Sequence, residues 1–239
     1  MSYYLKILIL STIVPIIFSF HPKVKFYIHY KSILSATLLA SSIYILWDII
    51  FTKLGVWGFN KQFLSGFYIL NLPIEEILFF LCIPFCCLYT YHLVEKFNIS
   101  FFKYINLKKV NIYILFVVLV VGLINYTKLY TFICLITFSL VLFIINKSTI
   151  NINFSFFYTT LILIIIPFLI INGALTGMFF DQTVVWYNDN EILGFKIFTI
   201  PIEDAFYAHQ LILLNLFFYK KFRALNTKKI ATIISIWDK

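Results

Sequence analysis

The chain has 239 residues, of which 62% are hydrophobic, 21% aromatic and only 12% charged. This composition, with a mean hydropathy of +0.95, excludes a soluble globular domain and indicates an integral membrane protein. The lysines behind the net charge of +9 lie in loops beside apolar runs, a pattern that sets membrane orientation and does not indicate a nucleic-acid partner.

Seven apolar segments of spanning or near-spanning length follow one another along the chain. They cover approximately residues 5–20, 32–51, 72–93, 110–126, 129–145, 156–175 and 200–219. The first segment contains Pro15 and lacks a small-x-small cleavage site, which favours a retained span over a signal peptide. The sequence therefore predicts an all-α membrane protein with about seven transmembrane helices.

Lys and Arg residues predict how these helices are oriented. Fourteen of them lie in the connections after the first, third and fifth segments and in the C-terminal tail, against five on the opposite side. By the positive-inside rule, the N-terminus is then non-cytoplasmic and the C-terminus cytoplasmic. The expected location is the bacterial cytoplasmic membrane, which the chain crosses several times.

One sequence motif occurs twice in the chain. Val56-Trp57 and Pro73-Ile74-Glu75-Glu76 match Val185-Trp186 and Pro201-Ile202-Glu203-Asp204, with the Trp residues 129 positions apart and the Pro residues 128. The spacing predicts two parallel three-helix repeats, 1–95 and 129–219, joined by a connector helix region, 96–128, and followed by a basic cytoplasmic tail, 220–239. Both acidic motifs then lie on the same side of the membrane.

Each motif copy places two adjacent carboxylates at the start of an apolar segment. Pro and acidic residues are common in the first turn of any helix, but one capping acid is enough, and both copies carry two. Adjacent helical residues point about 100° apart, so one acid can cap while its neighbour faces the bundle interior. Ionisable groups inside a membrane are costly and usually functional. Glu75, Glu76, Glu203 and Asp204 are therefore catalytic candidates.

Burial in an apolar site favours a protonated carboxyl group, which can act as a general acid beside a second, ionised carboxylate. Aromatic faces near such a pair can stabilise a carbocation. The aromatic candidates for substrate binding are Trp57, Phe79, Phe80, Trp186, Tyr187, Phe206 and Tyr207. Asp48 and Asn172 are either helix-packing partners or groups that orient the acids, and His209 is predicted to have a packing or hydrogen-bonding role. This set is typical of proton-initiated chemistry on an alkene dissolved in the bilayer.

The ordered motifs resemble those of a known family. They are Trp47-Asp48, Gly55-Val56-Trp57-Gly58-Phe59, Leu72-Pro73-Ile74-Glu75-Glu76, Asn172-Gly173-Ala174-Leu175-Thr176, Trp186-Tyr187-Asn188 and Pro201-Ile202-Glu203-Asp204 with Tyr207. The set resembles the integral-membrane lycopene cyclases of the heterodimeric bacterial type, here in a fused single-chain form, and it covers the chain to about residue 219. Archaeal and fungal lycopene cyclase domains are related.

The resemblance implies a lycopene β-cyclase of carotenoid biosynthesis, which converts the ψ end groups of lycopene to β-rings, giving γ-carotene and then β-carotene. An acid protonates C2, C5=C6 attacks the C1 cation, and a base removes a proton from C6, so the enzyme is an intramolecular lyase or isomerase. The four motif acids are carried over as the acid and base candidates, with their individual roles open. The implied partners are a lipid-dissolved carotenoid and, as candidates, other enzymes of the same pathway.

No cofactor or metal is evident from the sequence. The chain has no G-x-G-x-x-G motif of a dinucleotide-binding domain. Its four cysteines, Cys82, Cys86, Cys87 and Cys134, lie in apolar segments without a neighbouring His pair, which favours packing over metal binding.

Three other classes of membrane protein are alternatives. A retinal protein needs a Lys in its last span, and residues 200–219 contain none. A membrane prenyltransferase needs magnesium-binding Asp motifs, and the chain has no D-x-x-x-D pair. The main alternative is a small proton- or cation-coupled membrane transporter, since parallel repeats and membrane acids also occur there.

Overall fold

The structure is a computed structural model that describes residues 1–237, with side chains described up to residue 226. Within these residues it has seven α-helices: α1 Tyr3–Ser19, α2 Tyr30–Leu54, α3 Ile74–Lys96, α4 Leu107–Ile124, α5 Leu129–Lys147, α6 Phe154–Thr176 and α7 Ile202–Trp237. Each predicted apolar segment holds one helix, so the predicted all-α class is confirmed. Helix α7 continues well beyond the predicted end of the seventh segment at residue 219.

Five helices of the described residues are long and apolar enough to cross a membrane: α2, α3, α4, α5 and α6. Helix α1 is apolar but has only 17 residues. Large apolar side chains such as Leu46, Val117 and Ile166 are more than 60% exposed on the outer surface of the bundle, where lipid can solvate them. The chain is therefore a multi-pass membrane protein.

Two glycines end the helices that precede the motif loops. Gly55 follows α2 with a φ of 72°, and Gly177 follows α6 with a φ of 90°. Both angles lie in the left-handed region that a residue without Cβ adopts readily, which stops each helix and turns the chain back toward the bundle.

Short strands, which the sequence did not predict, organise the two loops. Strand β1 (Trp57–Phe59) pairs antiparallel with β4 (Val185–Tyr187), so that Gly58 lies opposite Trp186. Each loop then forms a small hairpin, β2 (Tyr68–Ile69) with β3 (Leu72–Pro73) and β5 (Lys196–Ile197) with β6 (Ile200–Pro201). Strands β3 and β6 lead directly into α3 and α7, which fixes where the acidic motifs begin.

The helix packing follows the same pattern in the two halves of the chain. Helix α1 packs on α3 and α5 packs on α7, while α2 and α6 each contact the last helix of the opposite half, α7 and α3. The hairpin turns also correspond, because Leu70 and Phe198 have left-handed φ values of 58° and 57°. These correspondences support the predicted repeat, with α4 as an additional helix packed on α5.

Prolines inside two helices leave backbone carbonyls that other side chains satisfy. Pro84 in α3 frees the carbonyl of Phe80, which accepts a hydrogen bond from the Ser41 hydroxyl. Pro15 in α1 frees the carbonyl of Ser11, to which the Cys86 thiol donates over 3.5 Å. Both contacts tie neighbouring helices together in the first half of the chain.

Candidate active site

A large cavity of about 580 Å³ lies between the two halves of the described bundle. Residues from α1, α2, α3, α5, α6 and α7 line it, together with residues from β1, β4 and β5. Most of its lining is apolar, and its three acidic residues are Asp48, Glu76 and Asp204. The cavity therefore brings one acid from each motif copy into a common apolar space.

Glu76 and Asp204 are held by tyrosine hydroxyls. Tyr4 donates to Oε2 of Glu76 over 2.6 Å. Asp204 accepts from two phenols, with Tyr130 donating to Oδ1 over 2.7 Å and Tyr187 to Oδ2 over 2.9 Å. Both acids are buried in the bundle and line the cavity. Asp204 thus has one more phenol donor than Glu76.

Glu75 and Glu203 have a different environment from their neighbours. Both are fully buried and neither lines the cavity. In the first half, Glu75 Oε1 accepts from the Ser65 backbone N–H over 2.6 Å and from the Ser2 hydroxyl over 2.7 Å. These bonds fasten the motif loop and the N-terminus to the start of α3.

The second half repeats this arrangement. Glu203 Oε1 accepts from the Leu193 backbone N–H over 2.7 Å and from the Thr131 hydroxyl over 2.5 Å. All four motif acids were catalytic candidates by sequence, and the structure brings only Glu76 and Asp204 to the cavity. The rotation of about 100° between adjacent helical residues accounts for this split, because one side chain turns toward the loop and the next toward the bundle.

Asp48 is the third acid of the cavity. It is 2% exposed, and its Oδ1 accepts a hydrogen bond from the Trp57 indole N–H. Its Oδ2 has no hydrogen-bond partner among the described residues. The sequence left open a helix-packing role and a role in orienting the acids, and the partner that the structure shows for Asp48 is the Trp57 indole, which lines the cavity.

Five of the seven predicted aromatic residues line the cavity: Trp57, Phe79, Phe80, Tyr187 and Tyr207. Tyr207 lies at the centre of an aromatic cluster, with ring centroids 5.1 Å from Tyr44 and 5.2 Å from Trp47. The five aromatic residues form an aromatic wall of the cavity. This wall adjoins the acids at the end of the bundle where the motif loops lie.

The structure places Trp186 and Phe206 outside the cavity lining. Trp186 is 45% exposed, and its indole lies over Gly58. The strand register explains this, because β1 and β4 correspond at a spacing of 128 residues, which matches Trp186 with Gly58 and not with Trp57. Phe206 packs instead on Phe138, with ring centroids 5.2 Å apart.

Two further candidates are polar residues on α6 and α7. Asn172 lines the cavity. His209 also borders it, while its ring packs against Phe138 and Phe157 with centroids 5.0 and 5.1 Å away. Of the packing and hydrogen-bonding roles predicted for His209, these ring contacts favour packing.

Sequence reasoning missed two of the three phenols that hold the cavity acids, and it gave the third, Tyr187, only a substrate-binding role. Tyr4 and Tyr130 stand at the starts of the first and fifth apolar segments, each next to or near a hydroxyl residue, Ser2 or Thr131. Hydroxyl groups at the same end of the membrane as the acidic motifs were a signal that could have found them. Their pairing with particular acids depends on helix packing.

Comparison with known families agrees with this site. A family model described as lycopene cyclase matches residues 1–94 and 125–222. The segments contain α1–α3 and α5–α6 with most of α7, and the gap between them contains α4. A search of curated proteins and a search of solved structures each return no match. Because the matched segments cover most of the 239 residues, the chain belongs to the lycopene cyclase family, which implies an enzyme that cyclises lycopene, a lipid-soluble carotenoid.

Proposed function

We propose that this chain is a lycopene β-cyclase that converts ψ end groups to β-rings, giving γ-carotene and then β-carotene. The observation that carries the proposal is that Glu76 and Asp204, one from each motif copy, line the same apolar cavity. A proton is added at C2 and another is lost from C6, so the product is an isomer of the substrate. The reaction balances without an oxidant or reductant, and we propose that no cofactor takes part.

The hydrogen bonds support different roles for the two acids. Two phenol donors on Asp204 stabilise its ionised form, which suits a base or a counter-charge to the cation. Glu76 accepts from the single phenol of Tyr4. We therefore assign proton donation at C2 to Glu76 and proton removal at C6 to Asp204.

The aromatic wall supports the cationic intermediate. Trp57, Phe80 and Tyr207 line the cavity together with the acids. An aromatic face attracts a cation through its quadrupole, and the attraction is stronger where water is excluded. Apolar lining also keeps water from capturing the C1 cation before C5=C6 attacks it.

We also propose that the chain divides as its sequence indicates, into repeats 1–95 and 129–219 with region 96–128 between them and the basic tail 220–239 after them. The motif loops then face the non-cytoplasmic side and the tail faces the cytoplasm, where other carotenoid-pathway enzymes are candidate partners. A reporter inserted at Gly66, in the first motif loop, should give a non-cytoplasmic signal. A cytoplasmic signal would reverse this orientation.

The test of function is co-expression in cells that accumulate lycopene, followed by chromatography of the extracted carotenoids. We expect β-carotene with γ-carotene as an intermediate, and only lycopene from the Glu76→Gln variant. Products with ε-rings would contradict the ring type while keeping the enzyme class. Unchanged lycopene from well-inserted protein would contradict the function itself.

A further inference from the structure

We infer that the cavity continues away from the acids as a groove that binds the polyene chain of the carotenoid along α3 and α6. The inference rests on the proposed function for the identity of the ligand, and on the cavity lining for its position. This polyene groove is the part of the cavity lined by Cys86, Thr90, Leu161, Ile164 and Ile165.

The lining residues show how long the cavity is. On α3 they extend from Glu76 to Thr90, and on α6 from Leu161 to Thr176. At a rise of about 1.5 Å per residue, these stretches are about 21 and 22 Å long. The cavity therefore runs through roughly two thirds of a hydrocarbon core that is about 30 Å thick.

The two ends of this cavity differ in chemistry. Leu175 and Ile171 pack in the same cluster as Tyr4 at the end with the acids, whereas Leu161 and Ile164 pack in the cluster that contains Cys87. The three cavity acids lie on residues 48, 76 and 204, all close to the motif loops. A long ligand with one reactive end and an apolar stem matches this polarity, and a compact ligand would leave most of the groove empty.

The groove also opens toward lipid on α6. Ile165 lines the groove and is 49% exposed, and the nearby Pro167 lines the adjoining part of the cavity and is exposed as well. Pro167 and, on α1, Pro15 both border the cavity inside a helix, where a proline interrupts regular backbone hydrogen bonding and bends the helix. A carotenoid can then slide in from the bilayer without passing through water.

Leu161 and Ile162 form a matched pair for the test. They are adjacent on α6, but Leu161 lines the polyene groove and Ile162 is 42% exposed outside it. Binding is measured in the Glu76→Gln background as the amount of lycopene that co-purifies with the protein and its induced circular dichroism. Turnover is measured in the otherwise unchanged chain with lycopene and with an apocarotenoid that carries one ψ end and half of the polyene chain.

We expect Leu161→Trp to lower co-purified lycopene and lycopene turnover by roughly ten-fold, with most of the turnover of the short substrate retained. Ile162→Trp should change neither measurement. The groove is refuted if Leu161→Trp behaves like Ile162→Trp, or if it reduces turnover of both substrates equally. If the Trp variant does not insert, Leu161→Phe provides the same comparison. Its side chain is smaller, so we expect a proportionally smaller loss of lycopene binding and turnover.

The binding measurement separates this inference from the proposed function. If lycopene binds in the groove but is never cyclised by the unchanged chain, the proposed function fails while the groove remains. If cyclisation proceeds and Leu161→Trp leaves binding and turnover unaltered, the groove fails while the function remains.

Discussion

The Tyr4 hydroxyl donates a hydrogen bond of 2.6 Å to Glu76, and Tyr130 makes the same contact to Asp204 over 2.7 Å. The two tyrosines are 126 positions apart, whereas Glu76 and Asp204 are 128 apart. Each phenol is nevertheless the second residue of the first helix of its half, because α1 begins at Tyr3 and α5 begins at Leu129. Both halves therefore bring a phenol from the same helix position to their cavity acid.

Tyr4→Phe should lower the rate of cyclisation, because it removes the donor that stabilises the Glu76 carboxylate as the proton leaves it. One hydrogen bond of this kind contributes about 1–2 kcal/mol, which corresponds to roughly ten-fold in rate. Tyr187→Phe should have a smaller effect, because Tyr130 still donates to Asp204. Initial rates in membranes with matched protein levels give the comparison, and equal losses in the two variants would contradict the difference in donor number.

Glu75 should tolerate substitution by Gln but not by Ala. Glu75 Oε1 accepts both hydrogen bonds, and Oε2 has no partner among the described residues, so Gln can retain the acceptor. We expect Glu75→Gln to keep cyclisation within about ten-fold of the unchanged chain, since charged acceptors add only 1–2 kcal/mol over neutral ones. Glu75→Ala should lower the free energy of unfolding by about 3 kcal/mol by leaving the loop donors unpaired.

Thermal unfolding in detergent measures the Ala variant, with Glu203→Ala as the equivalent change in the second half. Loss of activity in Glu75→Gln as complete as in Glu76→Gln would show that Glu75 has a catalytic role. Unaltered unfolding in both Ala variants would contradict the anchoring role.

Much of the fold could be predicted from the sequence, because lipid requires long apolar helices with internally satisfied backbone. The predicted segments begin and end within a few residues of α2 to α6, since apolar length alone decides where such helices lie. The strand pair β1–β4 could not be predicted, because three-residue strands have no distinct pattern and form only when the two loops meet. For the same reason the sequence predicts the same substrate-binding role for Trp57 and Trp186, whereas only Trp57 lines the cavity.

The site was predictable in composition but not in roles. Two adjacent acids in both motif copies indicate the chemistry. The sequence does not show, however, whether the first or the second acid of each pair faces the cavity. The choice depends on Ser2 and Thr131, which bind the first acid of each pair from another helix or the N-terminus. Such partners, more than seventy residues away, are fixed only by tertiary packing.

A half-buried ion-pair cluster should stabilise the end of the bundle opposite the acids. Glu95 on α3 binds Lys220 and Arg223 on α7, with Arg223 Nη1 3.2 Å from Oε2. Glu95→Gln should lower the free energy of unfolding by about 1–2 kcal/mol, because it leaves two basic groups poorly compensated. Asp189→Asn is the control, since its ion pair with Lys196 is exposed and should contribute little. Equal unfolding midpoints for the two variants would contradict this role.

Monocyclic carotenoid should leave the enzyme before the second ring forms. The cavity acids lie at one end of the bundle, so only one ψ end can occupy them while the other end is distant. In a pulse of labelled lycopene followed by excess unlabelled lycopene, labelled monocyclic product should accumulate free in the membrane. Labelled bicyclic product without that intermediate would instead require both ends to react during a single binding event.

The most direct test of the account compares two adjacent acids in otherwise identical protein. Cyclisation rates are measured for Glu76→Gln and Glu75→Gln variants that insert and unfold like the unchanged chain. We predict that Glu76→Gln loses at least about a hundred-fold in rate, as expected for a missing general acid, while Glu75→Gln stays within about ten-fold of the unchanged chain. Near-normal turnover by Glu76→Gln would contradict proton donation from the cavity and the mechanism built on it.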